Sequence, residues 1–198
     1  MRVMKAMKLM ILAIMLLGAA TLAAQNPPAR GGGAAAPPMM LTTNGWPDGT
    51  DIPVKYTQAG EQVSPALTWT NTPAGTASFV VLMHDPDVSL NGTTDDQLHW
   101  LVWNIPGTAT GLPEHVPQGA TLANGAMQVS ATGQVYRGPG APATGPKHHY
   151  TIEVFALDAP LSVQPAATWQ ETRANVVKAM QGHVKGKAVY AGLFHRPQ

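Results

Sequence analysis

The sequence predicts a mainly β fold, an antiparallel or mixed sandwich of short strands. Three observations carry that expectation. Apolar runs of six to eight residues rich in β-formers recur along the chain. Pro and Gly, 18 and 20 of 198 residues, punctuate the intervals between them. Convincing helical periodicity is confined to one segment near the C-terminus.

Taken in order, residues 78–83 (SFVVLM) form a short, wholly apolar run, the pattern of a strand buried on both faces. Residues 99–105 (HWLVWNI) read the same way and stop at Pro106-Gly107. Residues 150–157 (YTIEVFAL) alternate in part and end before Pro160, and 187–194 (KAVYAGLF) supply a closing strand. The helix is expected near 169–181. Thr168 and Glu171 have capping-box spacing, Trp169, Arg173, Val176, Val177 and Met180 recur at helical intervals, and Gly182 supplies a stop. Trp169 and Met180 read as core contacts. Two polar stretches, 85–97 and 133–147, are long for connections inside a compact domain, and functional loops are the usual reason for such length.

Residues 1–24 have the three-part layout of an export signal: Arg2, Lys5 and Lys8, the apolar run 9–17, then small residues ending in Ala23-Ala24, where cleavage is expected. The apolar run is shorter than the roughly 20 residues a membrane span needs, so an uncleaved anchor is the lesser alternative. Residues 25–38 (QNPPARGGGAAAPP) read as a flexible linker, and 39–198 as one domain. The chain has no Cys, which excludes disulfides, thiolate metal ligands and a lipid-modified cysteine. These features place the protein in the periplasm or the medium, with no stable membrane insertion after cleavage. Of 12 Lys/Arg, three lie in the signal, leaving nine against 11 Asp/Glu and no basic stripe. Nucleic acid is therefore not an expected partner.

The polar residues that could carry chemistry flank the two long loops. His84-Asp85-Pro86-Asp87 leaves one strand and His99-Trp100 enters the next; Tyr136-Arg137-Gly138-Pro139 lies in the second loop, and His148-His149-Tyr150 opens the strand after it. Phosphate wants donors, and His99, His148, the Gly138 amide and the Tyr150 hydroxyl can supply them. Asp85 fits such a site if it orients a histidine and keeps it protonated, in which case anion affinity falls as pH rises through neutrality. Alternatively it receives the ammonium of a zwitterionic head group. Tyr136-Arg137 reads equally as a gate or a plain loop. His84 and His149 should point away from their neighbours' face. His115, His183 and His195 read as structural or solvent-facing, Asp95 and Asp96 as solvated loop charges, and Trp100 and Trp103 as core and wall.

These residues belong to a longer ordered series: Asp48-Gly49, Ile52-Pro53, Ser64-Pro65, Leu67, Trp69, Pro73-Ala74-Gly75-Thr76, Ser78-Phe79, Asp85-Pro86-Asp87, His99-Trp100, Asn104-Ile105-Pro106, Gly138-Pro139, His148, Tyr150, Phe155-Ala156-Leu157 and Gly182-His183-Val184. In that order they resemble the phosphatidylethanolamine-binding protein family, in its bacterial branch similar to Raf kinase inhibitor protein. The resemblance implies two antiparallel sheets packed as a sandwich with a few peripheral helices, and a shallow anion pocket. It implies ligand-binding roles for Asp85, His99, Gly138, Pro139, His148 and Tyr150, and pocket-shaping roles for Pro86, Asp87 and Trp100. Homodimerisation is compatible with it. The chain departs from the pattern at Ser89, where the family usually has Pro, which suggests a less rigid loop, and in residues 140–147 (GAPATGPK), which alter the pocket rim.

The expected function is thus an exported, non-catalytic binding protein for a small anionic or phosphorylated ligand, with no cofactor, no resident metal and no catalytic residue. There is no Gly-x-Ser-x-Gly elbow, His-Glu-x-x-His helix or phosphate-cradling Lys loop, and Ser89 and Ser130 lack a neighbouring base. Two alternatives stand beside it: a metal-assisted hydrolase using Asp85, His99, His148 and His84 or His149, and a protease-inhibiting or regulatory interaction protein.

Overall fold

The computed structural model describes residues 36–198. The expected signal (1–24) and most of the expected linker (25–35) lie outside the described residues. The elements are, in order, β1 (Met40–Thr42), β2 (Thr50–Asp51), a 3-10 turn (Val54–Tyr56), β3 (Leu67–Thr70), β4 (Ser78–Asp85), β5 (Gln97–Pro106), β6 (Gly111–Leu112), β7 (Met127–Val129), β8 (His148–Leu157), α1 (Trp169–Met180) and β9 (Val184–Phe194). They form two sheets: a small one ordered β1-β3-β6, and a large one ordered β2-β9-β8-β4-β5-β7. Pairing is antiparallel except between β2 and β9, so the large sheet is mixed.

The central strands β4 and β5 of the large sheet are buried on both faces, which is why β4 reads as a continuous apolar run. One face packs Phe79, Val81, Met83, Trp100, Val102, Ile152 and Val154 against Leu41, Leu67, Trp69 and Leu112 of the small sheet. Trp69 and Phe79 meet there with ring centroids 4.9 Å apart. The other face gathers Val80, Leu82, Leu98, Leu101 and Trp103 beneath Leu161, Val163, Val176 and Met180. Each such side chain contributes about 1.5–3 kcal/mol by leaving water. The buried indoles keep their N–H groups paired: Trp69 donates to the Ala109 carbonyl, Trp100 to Gln128 Oε1 and Trp103 to the Val163 carbonyl.

Thr168 caps α1, its hydroxyl accepting from the Glu171 amide at 3.2 Å. The buried face is Thr172, Val176 and Met180, while Val177 is exposed, a shift from the expected stripe. The reason is a polar inner contact: the Thr172 hydroxyl accepts from the Ala166 amide and donates to the Thr168 carbonyl, which turns that position inward.

The β4–β5 register slips twice. Met83 pairs with Trp100 but His84 pairs with Leu98, leaving His99 as an extra residue in β5. Such a bulge re-aims side chains, and bulges recur beside functional sites.

Candidate functional site

The bulge brings His99 to the end of the sheet where β4 finishes at Asp85 and β8 begins at His148. Asp85, His99, His148 and Tyr150, drawn from three adjacent strands, line one cavity of about 130 Å³ together with Gln58, Val88, Gln97, Arg137, Gly140, Ala141 and Pro142. Asp85 is almost wholly buried, and each of its carboxylate oxygens has a partner. Its Oδ1 accepts from the Asp87 amide at 3.0 Å, and its Oδ2 faces His148 Nδ1 at 2.8 Å. The neighbouring pair repeats the device one step outward: Asp87 Oδ2 accepts from the His149 amide at 2.6 Å and meets His149 Nδ1 at 2.9 Å. That amide bond, first among its influences, holds the Asp87 carboxyl below the usual range. Two consecutive histidines are thus each held by one acid of the Asp-Pro-Asp turn.

His99 is buried, its Nδ1 2.9 Å from the Arg137 carbonyl, while the Arg137 amide donates to the His99 carbonyl. A carbonyl can only accept, so Nδ1 carries the proton and Nε2 faces away with a lone pair. Burial pushes the imidazole down to about 4, so His99 is neutral near pH 7. The expectation that His99 donates to a ligand is corrected: its Nδ1–H is taken by the Arg137 carbonyl, and the histidine that Asp85 contacts is His148. Tyr150 stands edge-on to His99, ring centroids 5.0 Å apart. Its hydroxyl accepts from the Gly140 and Ala141 amides at 3.1 and 3.0 Å. Burial, with the Asp85 carboxylate adding to it, pushes the phenol up to about 12. Accepting these amides occupies the oxygen's lone pairs and leaves the O–H proton as a donor, so Tyr150 fixes the backbone at Gly140 and Ala141 while it lines the cavity.

Three other expected positions sit elsewhere. Gly138 and Pro139 are not among the lining residues. The Gly138 amide donates to Gln62 Oε1, its carbonyl accepts from Gln58 Nε2, and a Cβ there would stand 2.6 Å from the Tyr56 carbonyl oxygen. Its role is close backbone packing. The amides that turn toward the site belong to Gly140 and Ala141, one step further along the loop. Trp100 does not shape the cavity either: it packs edge-on against Tyr136 in the inter-sheet core. Pro86 and Asp87 form the turn beside Asp85 without lining the cavity.

Arg137 lines the cavity and makes no ion pair or side-chain hydrogen bond among the described residues. Tyr136 turns inward, its hydroxyl donating to the Tyr56 carbonyl at 2.9 Å. Gln58, which no sequence motif marked, is held by Gly138 and by Arg196, whose guanidinium donates to Gln58 Oε1 at 3.1 Å.

The set suggested for a metal is not assembled. His84 lies on the other face, its Nδ1 2.5 Å from Asp96, which also pairs with Arg173. Asp96 is accordingly a half-buried network residue, not a solvated loop charge. Burial opposes its ionisation, yet the contacts from His84 and Arg173 prevail and hold its carboxyl below the usual range. The ligand-capable atoms that do lie within 4.8 Å of one another belong to Asp85, Asp87 and His148, without His99.

A family model described as phosphatidylethanolamine-binding protein matches residues 42–195. The chain belongs to this family. Among its relatives, the UPF0098 protein of Methanothermobacter thermautotrophicus is 38% identical over 156 residues, covering 78% of this chain and 97% of that protein. LppC of Mycobacterium tuberculosis, whose name marks it as a candidate lipoprotein, is 31% identical over 146 residues, covering 73% of this chain and 68% of its own length. The crystal structure of Escherichia coli YbcL, described as a member of the mammalian PEBP family, is 26% identical with a TM-score of 0.68, covering 81% of this chain and 99% of that one. A family homologue from Chlamydia trachomatis is 30% identical with a TM-score of 0.65, covering 80% and 98%. This phosphatidylethanolamine-binding protein family member thus shares its sandwich with solved relatives.

Proposed function

We propose that this family member is an exported, non-catalytic binding protein that holds a small anionic ligand, such as a phosphate-bearing head group, in the Asp85–His99–His148 cavity. The observation that carries the reading is Arg137: a permanently charged guanidinium, without an ion pair among the described residues, on a cavity whose other polar groups converge from three strands. Arginine pairs with phosphate or carboxylate in a fork that few other side chains match. The volume, about 130 Å³, is below the roughly 300–1,000 Å³ of sites that enclose drug-sized ligands. It suits a head group or free anion and leaves an acyl chain outside. Tyr150 offers no nucleophile at neutral pH, since burial keeps its phenol protonated. Export is supported by the layout of residues 1–24 and by the lipoprotein name of one relative.

Titration calorimetry with phosphoethanolamine at pH 5.5 tests the reading, with cell fractionation and N-terminal sequencing run alongside. One-to-one binding weakened at least tenfold by His148→Ala, and a mature chain beginning at Gln25 outside the cytoplasm, are the expected results. Equal binding by that variant, or absence of binding in both, overturns the pocket.

A further inference from the structure

A second hollow, of about 370 Å³, lies between α1 and the outer face of the large sheet, walled by Val80, Leu82, Leu101, Phe155 and Met180. Val177 and Val184 also line it, and at 42% and 46% exposure they stand at its mouth. They are two of the five exposed large apolar side chains among the described residues, so the hollow opens to water through an apolar rim. A helix packed on a sheet ordinarily leaves few voids larger than a water molecule. A dry apolar cavity of about 150 Å³ is enough to take up benzene, and the volume here falls among those of sites that enclose small ligands. The polar groups along the hollow decide what it takes. Arg173 is paired with Asp96 and Glu153 with Lys187, so each charge beside it is already balanced within the protein. His84 holds Nδ1 on Asp96 at 2.5 Å, and its Nε2 has no hydrogen-bond partner among the described residues and is shut off from solvent. Gln181 is uncharged and exposed.

We propose that this hollow is a second binding site, for a small uncharged aromatic molecule of one or two rings. A charged ligand would give up its hydration for a site with no free counter-charge. An uncharged one gives up little and buries its rings against the apolar walls. Phe155 and Met180 favour an aromatic guest, since a ring meets another ring edge-on or offset and a thioether rests against a ring edge. The site draws on β4, β5, β8, β9 and α1 and shares no lining residue with the cavity around Asp85 and His148. Recognition here is by shape and apolar area, with no hydrogen bond required of the ligand.

The test titrates the protein with indole, 1-methylindole and indole-3-carboxylate at pH 7.5, by calorimetry and by methyl NMR. 1-Methylindole should bind about fourfold more tightly than indole, the gain from burying one further carbon, because no protein atom takes up the indole N–H. Indole-3-carboxylate should bind at least tenfold more weakly than indole. The methyl resonances of Val80, Leu82, Leu101, Val177, Met180 and Val184 should move together. Val184→Trp places an indole at the mouth from an exposed strand position, and it should weaken 1-methylindole at least tenfold with an unchanged melting temperature. Val177→Phe does the same from α1 and serves if the first variant melts early. Excess phosphoethanolamine should leave 1-methylindole affinity unchanged. Several outcomes overturn the proposal: no binding of 1-methylindole, binding no tighter than that of indole, or displacement by phosphoethanolamine, which would put the probe in the other cavity. Sedimentation equilibrium supplies the last arm. A wild-type dimer that Val184→Trp converts to monomer would assign this face to a second copy of the chain, and overturn the small-molecule site.

Discussion

His99 couples a local backbone irregularity to the pH response of the whole fold. An imidazole that titrates near 6.5 in the unfolded chain and at about 4 in the folded one disfavours folding when it must take up a proton. Between those values the unfolded state binds more protons, so stability rises with pH across that interval. The contribution is complete above pH 6.5 and is lost as pH falls toward 4, amounting to about 3 kcal/mol. Urea unfolding measured from pH 7 to 4 should show this slope, and His99→Gln should flatten it; identical slopes would refute burial as the cause. Asp85, His99, His148 and Tyr150 were legible in the sequence because their motifs name them and their strands sit side by side. Their hydrogen-bonding roles were not. Which nitrogen of His99 is free depends on the Arg137 carbonyl, and the amides that the Tyr150 hydroxyl accepts come from a loop that local patterns do not place. The same limit hid the exchange of Gly138 for Gly140 and Ala141, since two glycines in one Gly-Pro-Gly stretch read alike until the backbone path is known.

At the scale of single elements, the local signals held where they were local. The Thr168 cap sits at the start of α1 as its spacing indicated, and Thr168→Ala should cost about 1 kcal/mol, read as a shift in the urea midpoint with no change of slope. A wild-type midpoint in that variant would show that the cap is redundant with the Thr172 bonds. The inward face of the helix was misread because Thr172 is polar by type but occupied by partners on both sides. In β5, strict alternation would have set His99 and Trp100 on opposite faces, and the bulge breaks that rule. The loop after β4 illustrates a substitution absorbed by chemistry. Ser89 stands where the family usually has Pro, and its hydroxyl donates to the Thr93 carbonyl at 2.7 Å. The Leu90 amide also donates to the Asp95 carbonyl. These bonds cross-link the loop by a route other than ring stiffness.

For the whole molecule, the two-sheet sandwich was legible from run length and Pro/Gly spacing, but the strand order was not. β1, β2, β6 and β7 are two or three residues long, too short to leave a pattern, and the pairing of β2 with β9 joins Thr50 to Gly192 across most of the domain. That pairing makes β9 an interior strand, bonded to β2 on one side and β8 on the other. Removal of residues 184–198 should therefore abolish cooperative thermal unfolding, followed by circular dichroism, instead of merely lowering the melting temperature. A cooperative transition in the shortened chain would show that β8 tolerates an open edge. The same ordering bears on biosynthesis. The main sheet cannot close until β9, which ends at Phe194, has emerged from the ribosome, so β8 keeps one unpaired edge until the synthesis of that strand.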